Sequence, residues 1–364
     1  MRIPGRLLCH LFDIRSSGLV VLALTACVST GPGGTHDVQS AHTADPTALL
    51  NRITWGANAS SAREMTALRP ERYLERQLHP ATPAVLPNEV QAHIDAMTIS
   101  QRSVEDIGRD LAQRRVAFSA LTDVEQRKAA QKEYQQELVR LGREASRRML
   151  LRALYSPNQL EEQMTWFWMN HFNVFQFKGP VRALIGDYEE HAIRPHALGR
   201  FRDLLAATAR HPAMLFYLDN ARNANGHINE NYARELMELH TMGVNGGYTQ
   251  RDVQELARIL TGFGINVSSN IPRMRPGLQD QYVRVGLFEF NPNRHDYGDK
   301  VFLGRTVQGR GPAELDEALD RLARHPATAH FVSRKLAVYF VADDPPPALV
   351  ERMTQTYQRT DGDI

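Results

Sequence analysis

The amino-acid sequence predicts a mainly α-helical fold, a multi-helix domain with αα-hairpins and a small β-hairpin insert around residues 280–308. Three observations point there. Helix-start signatures, a Ser, Thr or Asn followed by an acid, amide or proline, recur along most of the chain. The charged, Gln-rich stretch between Ser103 and Arg148 has the composition of a long helical hairpin with one face in solvent. The segment from about Gly264 to Gly309 reads differently, with alternating and β-rich runs separated by turn residues. At 364 residues, 42% hydrophobic and 23% charged, the chain can build one large or two ordinary domains and is not disordered by composition.

The N-terminus carries its own message. Basic residues lead into the apolar run "GLVVLALTA" and then Cys27, the layout of an export signal and too short for a spanning helix. The word "LTAC" resembles the lipobox of bacterial lipoproteins, in which the residue matching Cys27 is lipidated and becomes the mature N-terminus. Residues 1–26 are therefore expected to be a signal peptide and residues 27–48 a lipidated cysteine with a flexible Gly/Ser/Thr-rich tether. The competing possibilities are a soluble secreted protein or a misplaced start codon. Val28, rather than Asp, points to the outer membrane, facing the periplasm or the surface. Cys9 and Cys27 are the only cysteines, so a mature protein would have no free thiol for disulfides, Cys-ligated metals or covalent haem. The net charge of +2 matches Arg2, Arg6 and Arg15 against Asp13, leaving the rest balanced and without a nucleic-acid footprint.

The folded part is expected from residue 49 to residue 364, beginning near "ALLNRITWGANASSAREM". Thr122 with Glu125 makes a capping box before a long helix ending near Tyr155. Ser156, Pro157 and Gln159 combine an N-cap, an N1 proline and an N3 amide before "LEEQMTWFWMNHF". Thr249 with Asp252 repeats the box, and Pro326 opens a helix that "DDPPP" stops. "YVRVGLFEF" alternates and "KVFLGRTV" is β-rich, with "NPNRHDYGD" between them as turns. Thr360 or Asp361 is placed to cap one more helix, so the chain looks truncated at its C-terminus.

The densest polar stretch is "NENYARELMELHTMGVNGGYTQRDVQELARILTG", residues 229–262. Asn229 suits an N-cap for a helix to Met242, with Gly243 at the left-handed C′ position and a second helix from Gln250 to about Gly262. At about 100° per residue, Glu230, Arg234 and Glu238 form one stripe with Glu235 beside it, whereas His240 falls roughly 140° from Glu235. That angle removes a self-contained Glu/His metal helix. The stripe could be intrahelical ion pairs worth ~0.3–0.5 kcal/mol each. Against this, Asp219, Asn220, Asn229 and Asn231 bring many amide and carboxylate oxygens to the helix start, a set suited to a hard cation or a polyhydroxylated ligand.

Other histidines are weighed the same way. His171 shares a helix face with Phe167 and Trp168, where a hydrogen-bonded core role is the commoner outcome. His295 sits beside Asp296 in a turn-rich loop that could serve acid–base chemistry. His325 precedes Pro326 and suits a cap. The chain lacks a Gly-x-Ser-x-Gly elbow, a P-loop, a His-Glu-x-x-His and a dinucleotide fingerprint, which leaves the common hydrolase, NTPase and dehydrogenase routes unsupported.

The words "LLNRITWGA", "FWMNHF", "YLDN", the long stretch from Asn229 to Phe263, "HDYGDK" and "HPATAHFVSRKLAVYFVADDPP" resemble the bacterial family known as domain of unknown function 1800. The resemblance implies an exported protein with no established activity, often encoded near a second exported family, and members that usually continue beyond the point matching Ile364. Two functions follow as expectations. The first is an envelope enzyme with Glu235, Glu238, His171 and His295 in one concave pocket. There Glu235 or Glu238 would act as acid–base or hard-metal ligand, and Asp219, Asn220, Asn229, Glu230, Asn231 and Arg234 as ligand-binding groups. The cofactor is left open, a divalent cation being the candidate. The second is a non-enzymatic binding or assembly module for another exported protein.

Overall fold

The computed structural model describes residues 45–80 and 84–364. The expected signal peptide, Cys27 and most of the tether lie outside these residues. The described chain is mainly helical, with short antiparallel strands in one region.

Three short helices lead in: α1 (Pro46–Ile53), α2 (Ala59–Leu68) and α3 (Pro70–Leu78). The side chain of Asp45 caps α1, so the helix starts before the residue-49 boundary read from the sequence. Next come α4 (Asn88–Asp95), α5 (Thr98–Gln101), and the long antiparallel hairpin of α6 (Val104–Ala120) and α7 (Val124–Tyr155). Asp123, not Thr122, caps α7, accepting from the Gln126 N–H at 2.8 Å. A single residue's difference in register decides which oxygen meets the free N–H groups. Similarly, α8 (Gln159–His171) takes Asn158 at its cap position, while Ser156 ends α7 and its hydroxyl accepts from the Asn158 N–H.

The centre of the domain is built from α8, α9 (Val181–Asp187), a π-helical turn at Tyr188–Ile193, α10 (Phe201–Arg210), α11 (Pro212–Tyr217), α12 (Asn231–Glu238) and α13 (Gln250–Ile259). Trp168, Phe172, Tyr188, Phe201 and Tyr232 are almost completely buried there, as large side chains must be to draw so many helices together. Polar tips find partners: the Trp168 indole N–H donates to the Ala197 carbonyl and the Tyr188 hydroxyl to that of Phe172. Arg194 fixes the π-helical turn to α8 through Glu162 and Glu189, each at 2.6 Å.

The β region exceeds one hairpin. Strands β1 (Phe263–Ile265), β2 (Val283–Val285) and β3 (Phe288–Phe290) form an antiparallel sheet in the order β1-β3-β2. A separate hairpin pairs β4 (Lys300–Phe302) with β5 (Arg305–Val307), in the register Lys300 opposite Val307. β1 follows directly on the turn after α13, so the expected insert is a three-stranded sheet plus a hairpin. Helices α14 (Ala313–Ala323), α15 (Pro326–Phe340) and α16 (Pro347–Arg359) close the domain. The His325 imidazole caps α15 by accepting from the Ala327 N–H, as its place before Pro326 suggests. No helix among the described residues is long and apolar enough to cross a membrane.

Candidate functional site

The Asn-rich approach to α12 spends its amides on the backbone. Fully buried Asn220 donates to the carbonyls of Leu260 and Phe263, and buried Asn223 to that of Ala257. Asn229 donates to the Asp219 carbonyl and accepts from the Asn231 N–H, while the Asn231 amide donates to the Leu218 carbonyl. Asp219 itself adopts a left-handed φ of 58° and pairs with Lys178 at 2.7 Å. These amides brace a turn against α13 and β1 rather than gathering around a cation or polyhydroxylated ligand, although Asn231 also lines a cavity. Among the described residues no group of three or more His, Cys, Asp or Glu side chains is arranged to hold a metal ion.

The α12 helix is shorter than its sequence suggests, running from Asn231 to Glu238 rather than from Asn229 to Met242. Beyond Glu238 the turn widens. The amides of His240 and Met242 reach five residues back, to the carbonyls of Glu235 and Met237, and the Thr241 hydroxyl does the same to Leu236. Extrapolation at 100° per residue therefore fails for His240. The structure places His240 in the same cavity as Glu235, the opposite of the expected separation. Gly243 follows at φ 78°, and its Cα lies so close to the Phe331 ring that a Cβ would stand 2.9 Å from it.

The cavity has a volume of about 540 Å³, within the ~300–1,000 Å³ typical of small-molecule sites. Its walls come from the end of α8 (Asn170, His171), the following loop (Asn173, Lys178), the end of α11 (Tyr217), α12 and its widened turn (Asn231, Glu235, His240), and α15 (Phe331, Lys335). His171 and His240 are both buried, their ring centroids 6.3 Å apart. His171 Nε2 stands 2.9 Å from the His240 carbonyl oxygen. That oxygen can only accept, so Nε2 donates and the neutral ring is left with a bare lone pair on Nδ1. Nδ1 of each histidine is buried and, among the described residues, has no hydrogen-bond partner.

Electrostatics set the protonation of these walls. Burial, reinforced by the Lys335 ammonium, holds His171 well below the usual histidine range and pushes His240 down to about 3. Burial and the neighbouring Glu238 carboxylate raise Glu235, with Arg234 opposing them. Burial lowers Lys335, whose ammonium lies 5.2 Å from the centroid of the Phe331 ring and, among the described residues, meets no carboxylate. The cavity thus combines two neutral imidazoles, a carboxyl biased toward its protonated form and an ammonium with no carboxylate partner.

The other expected site residues lie elsewhere. Arg234 pairs with Glu230 at 3.0 Å and with Glu238 at 3.5 Å on a half-exposed face, and Gln250 joins Arg234 and Glu230, so the stripe is helix decoration. Glu238 also faces Tyr248, whose phenol burial and that carboxylate push up to about 12. His295 is absent from the cavity, which corrects the expectation of one pocket shared by Glu235, Glu238, His171 and His295. Its fully buried ring joins Glu314 at 2.9 Å and the Thr261 carbonyl at 2.8 Å. Glu314 takes Lys300 at 2.5 Å and the N–H groups of Arg310 and Gly311 as well. Burial opposes ionisation of Glu314, but the hydrogen bonds from His295 and Lys300 outweigh it and lower its pKa. Every face of this constellation is occupied, which marks a structural clamp between β4, α14 and the loop before them.

Lys335 escaped the sequence reading, although the adjacent cations Arg334 and Lys335 in the aromatic run "HFVSRKLAVYF" were a visible signal. Asn170, Asn173, Lys178 and Tyr217 were missed because only the tertiary fold brings their segments together.

Residues 48–364 match the family model described as "Protein of unknown function (DUF1800)". No curated protein and no solved structure matches the chain.

Proposed function

Because the chain belongs to the DUF1800 family, whose description assigns no activity, we propose its function from the cavity itself: an enzyme that performs acid–base chemistry on a polar substrate bearing an anionic group. The observation that carries this is the convergence of Glu235, His171, His240 and Lys335 on one 540 Å³ cavity with a buried, unpartnered nitrogen on each imidazole. Glu235 is the acid–base carboxyl, its hold on a proton strengthened by burial and by Glu238. The bare Nδ1 of the His240 imidazole, kept neutral by burial, accepts a hydrogen bond from water or a substrate hydroxyl and orients it. His171 holds the His240 segment in place through its backbone carbonyl, and Lys335 anchors the substrate's negative charge. Arg234, Glu238 and His295 have no part in the chemistry.

The full chain should turn over at least one of a panel of nitrophenyl esters, phosphate esters and glycosides. Glu235→Gln and His240→Asn should each lower that rate by ~10²–10⁴-fold. No turnover of any member, or rates that both variants leave unchanged, would sink the proposal.

The protein works at the cell envelope, exported and held by lipid on Cys27 to the outer membrane. The lipobox-like "LTAC" after an apolar run supports this. Metabolic labelling with palmitate should mark the wild type and not Cys27→Ser; equal labelling would rule the anchor out. A second function, a binding or assembly module for another exported protein, is favoured by one observation. An apolar groove of about 490 Å³ runs along α1, α15 and α16, lined by Leu49, Ile53, Leu336 and Phe340 among others. Capture of one stoichiometric envelope protein, lost in Leu336→Asp, would favour it over the enzyme.

A further inference from the structure

Behind the end of α8 lies a second depression of about 330 Å³ that shares Asn170 and Asn173 with the catalytic cavity, so one extended ligand can occupy both. Its rim is the loop from Asn173 to Phe177, which alternates like a strand. Val174 is buried, while Asn173, Phe175 and Phe177 are exposed, the two aromatics by 53% and 61%. Exposed Phe side chains usually fold away or move freely. These two are held. Their centroids lie 5.4 Å apart, the Arg182 guanidinium sits 4.3 Å over the Phe177 ring, and Lys178 ties the loop down through the Tyr217 carbonyl and Asp219. Trp166, also partly exposed, lines the same depression.

We propose that the ligand is an acidic oligosaccharide, lying with its sugar rings against Phe175 and Phe177 and its acid-bearing unit in the inner cavity against Lys335. A pyranose presents an apolar C–H face and a hydroxyl edge. The rim offers aromatic faces interleaved with the amides of Asn170, Asn173 and Gln176 to match both. A lipid surface would have use for the aromatics but not for the amides between them. The acid is called for by the unmatched ammonium: Lys178 pairs with Asp219 and Glu189 with Arg194, whereas among the described residues no carboxylate, that of Glu235 included, stands within ion-pair distance of Lys335. Because the aromatics are fixed before binding, little ordering entropy opposes the stack.

This inference rests on the cavity assigned above, and its test can fail separately. Calorimetric titration of the full chain with a galacturonate hexamer, with cellohexaose and with phosphatidylglycerol vesicles distinguishes the occupants. The galacturonate hexamer should bind with one-to-one stoichiometry. Phe175→Ala/Phe177→Ala should weaken it by about tenfold or more, and Lys335→Met should weaken it similarly while leaving cellohexaose unaffected. Glu235→Gln should bind normally, so binding without turnover would overturn only the catalytic proposal. Equal affinity for the acidic and neutral hexamers, with no response to Lys335→Met, would overturn the inference. So would failure of both hexamers, including the case in which vesicles bind in a Phe175- and Phe177-dependent way. All three variants lie on partly exposed side chains, and an unchanged melting temperature verifies that each is folded.

Discussion

Two constellations in this domain are built from the same side-chain types, His, Glu and Lys, and differ in what is left over. Around His295 each polar atom has its partner: both ring nitrogens, both oxygens of Glu314 and the Lys300 ammonium are taken up within the protein. Around His171 and His240, among the described residues, two imidazole nitrogens are buried without partners, Lys335 meets an aromatic ring and no carboxylate, and empty volume lies between them. The first arrangement stabilises one geometry. The second is held in place by its surroundings at a cost in stability, the pattern expected where a ligand supplies the missing partners. Composition alone does not separate the two; hydrogen-bond satisfaction does.

The largest effect is expected where the constellation is closed. Glu314→Gln keeps the shape but leaves Lys300 and His295 buried with no counter-charge, and should cost about 3–5 kcal/mol in denaturant unfolding. A loss below about 1 kcal/mol would show that the clamp is no more essential than a surface pair, and the comparison would lose its structural half.

The open constellation should reveal itself through acid. His171 and His240 are held neutral in the folded state, His240 down to about 3, while an unfolded histidine titrates near 6.5. Below about pH 6.5 the unfolded chain takes up protons that the folded chain refuses. Stability therefore falls with pH by about 1.4 kcal/mol per unit for each histidine. Other groups titrate in the same window, among them His191, whose bond to Asp187 raises it and gives the opposite slope. The informative quantity is thus the difference between wild type and His240→Asn between pH 6.5 and pH 4.5, where the variant should lose stability more slowly. Parallel curves would mean that His240 titrates in the fold much as it does in the unfolded chain, and its assignment as an imidazole held neutral by burial would fall.

A smaller effect, of the other sign, is expected at Lys335. Removing a half-buried cation that has no carboxylate partner relieves desolvation and gives up only the contact with Phe331. Lys335→Met should be neutral or stabilise by up to about 1 kcal/mol. A clear destabilisation would place Lys335 in the structural class with Lys300.

How far the sequence foretold this contrast can be judged residue by residue. Local rules did well: the box of Thr249 with Asp252 forms with both reciprocal bonds, Gly243 takes its left-handed position, and His325 caps α15. Helix class followed from such signals because each depends on atoms within a turn or two. His240 was lost because periodicity assumes that the turn continues unchanged, and here it widens after Glu238. His295 was drawn to the site by its place in a polar loop, yet its ring is buried against Glu314 of α14, and burial is set by residues far away in the chain. Asn220 and Asn229 were attractive as ligands for the reason they are useful as braces, since both tasks require amides that can reach several groups at once. The cavity itself, joining α8, α11, α12 and α15, has no counterpart in local spacing.

The smallest expected effect tests the stripe of Glu230, Arg234 and Glu238, the most conspicuous charged pattern in the sequence. Arg234 makes its contacts at 3.0 and 3.5 Å with side chains that remain about a quarter to two-fifths exposed. Water and salt screen such pairs, and each long side chain gives up rotamer freedom to keep its place. A double-mutant cycle on Arg234→Ala and Glu238→Ala should return a coupling of about 0.3–0.5 kcal/mol, shrinking as ionic strength rises. Glu238→Gln should also lower Glu235, because the Glu238 carboxylate is one of the two influences raising it, and the acid limb of any activity profile should move with it. A coupling above about 2 kcal/mol would show that the stripe is buried in some functional state. Its absence from the cavity would then reflect only one conformation, and the distinction between the open and the closed constellation would have to be redrawn to include it.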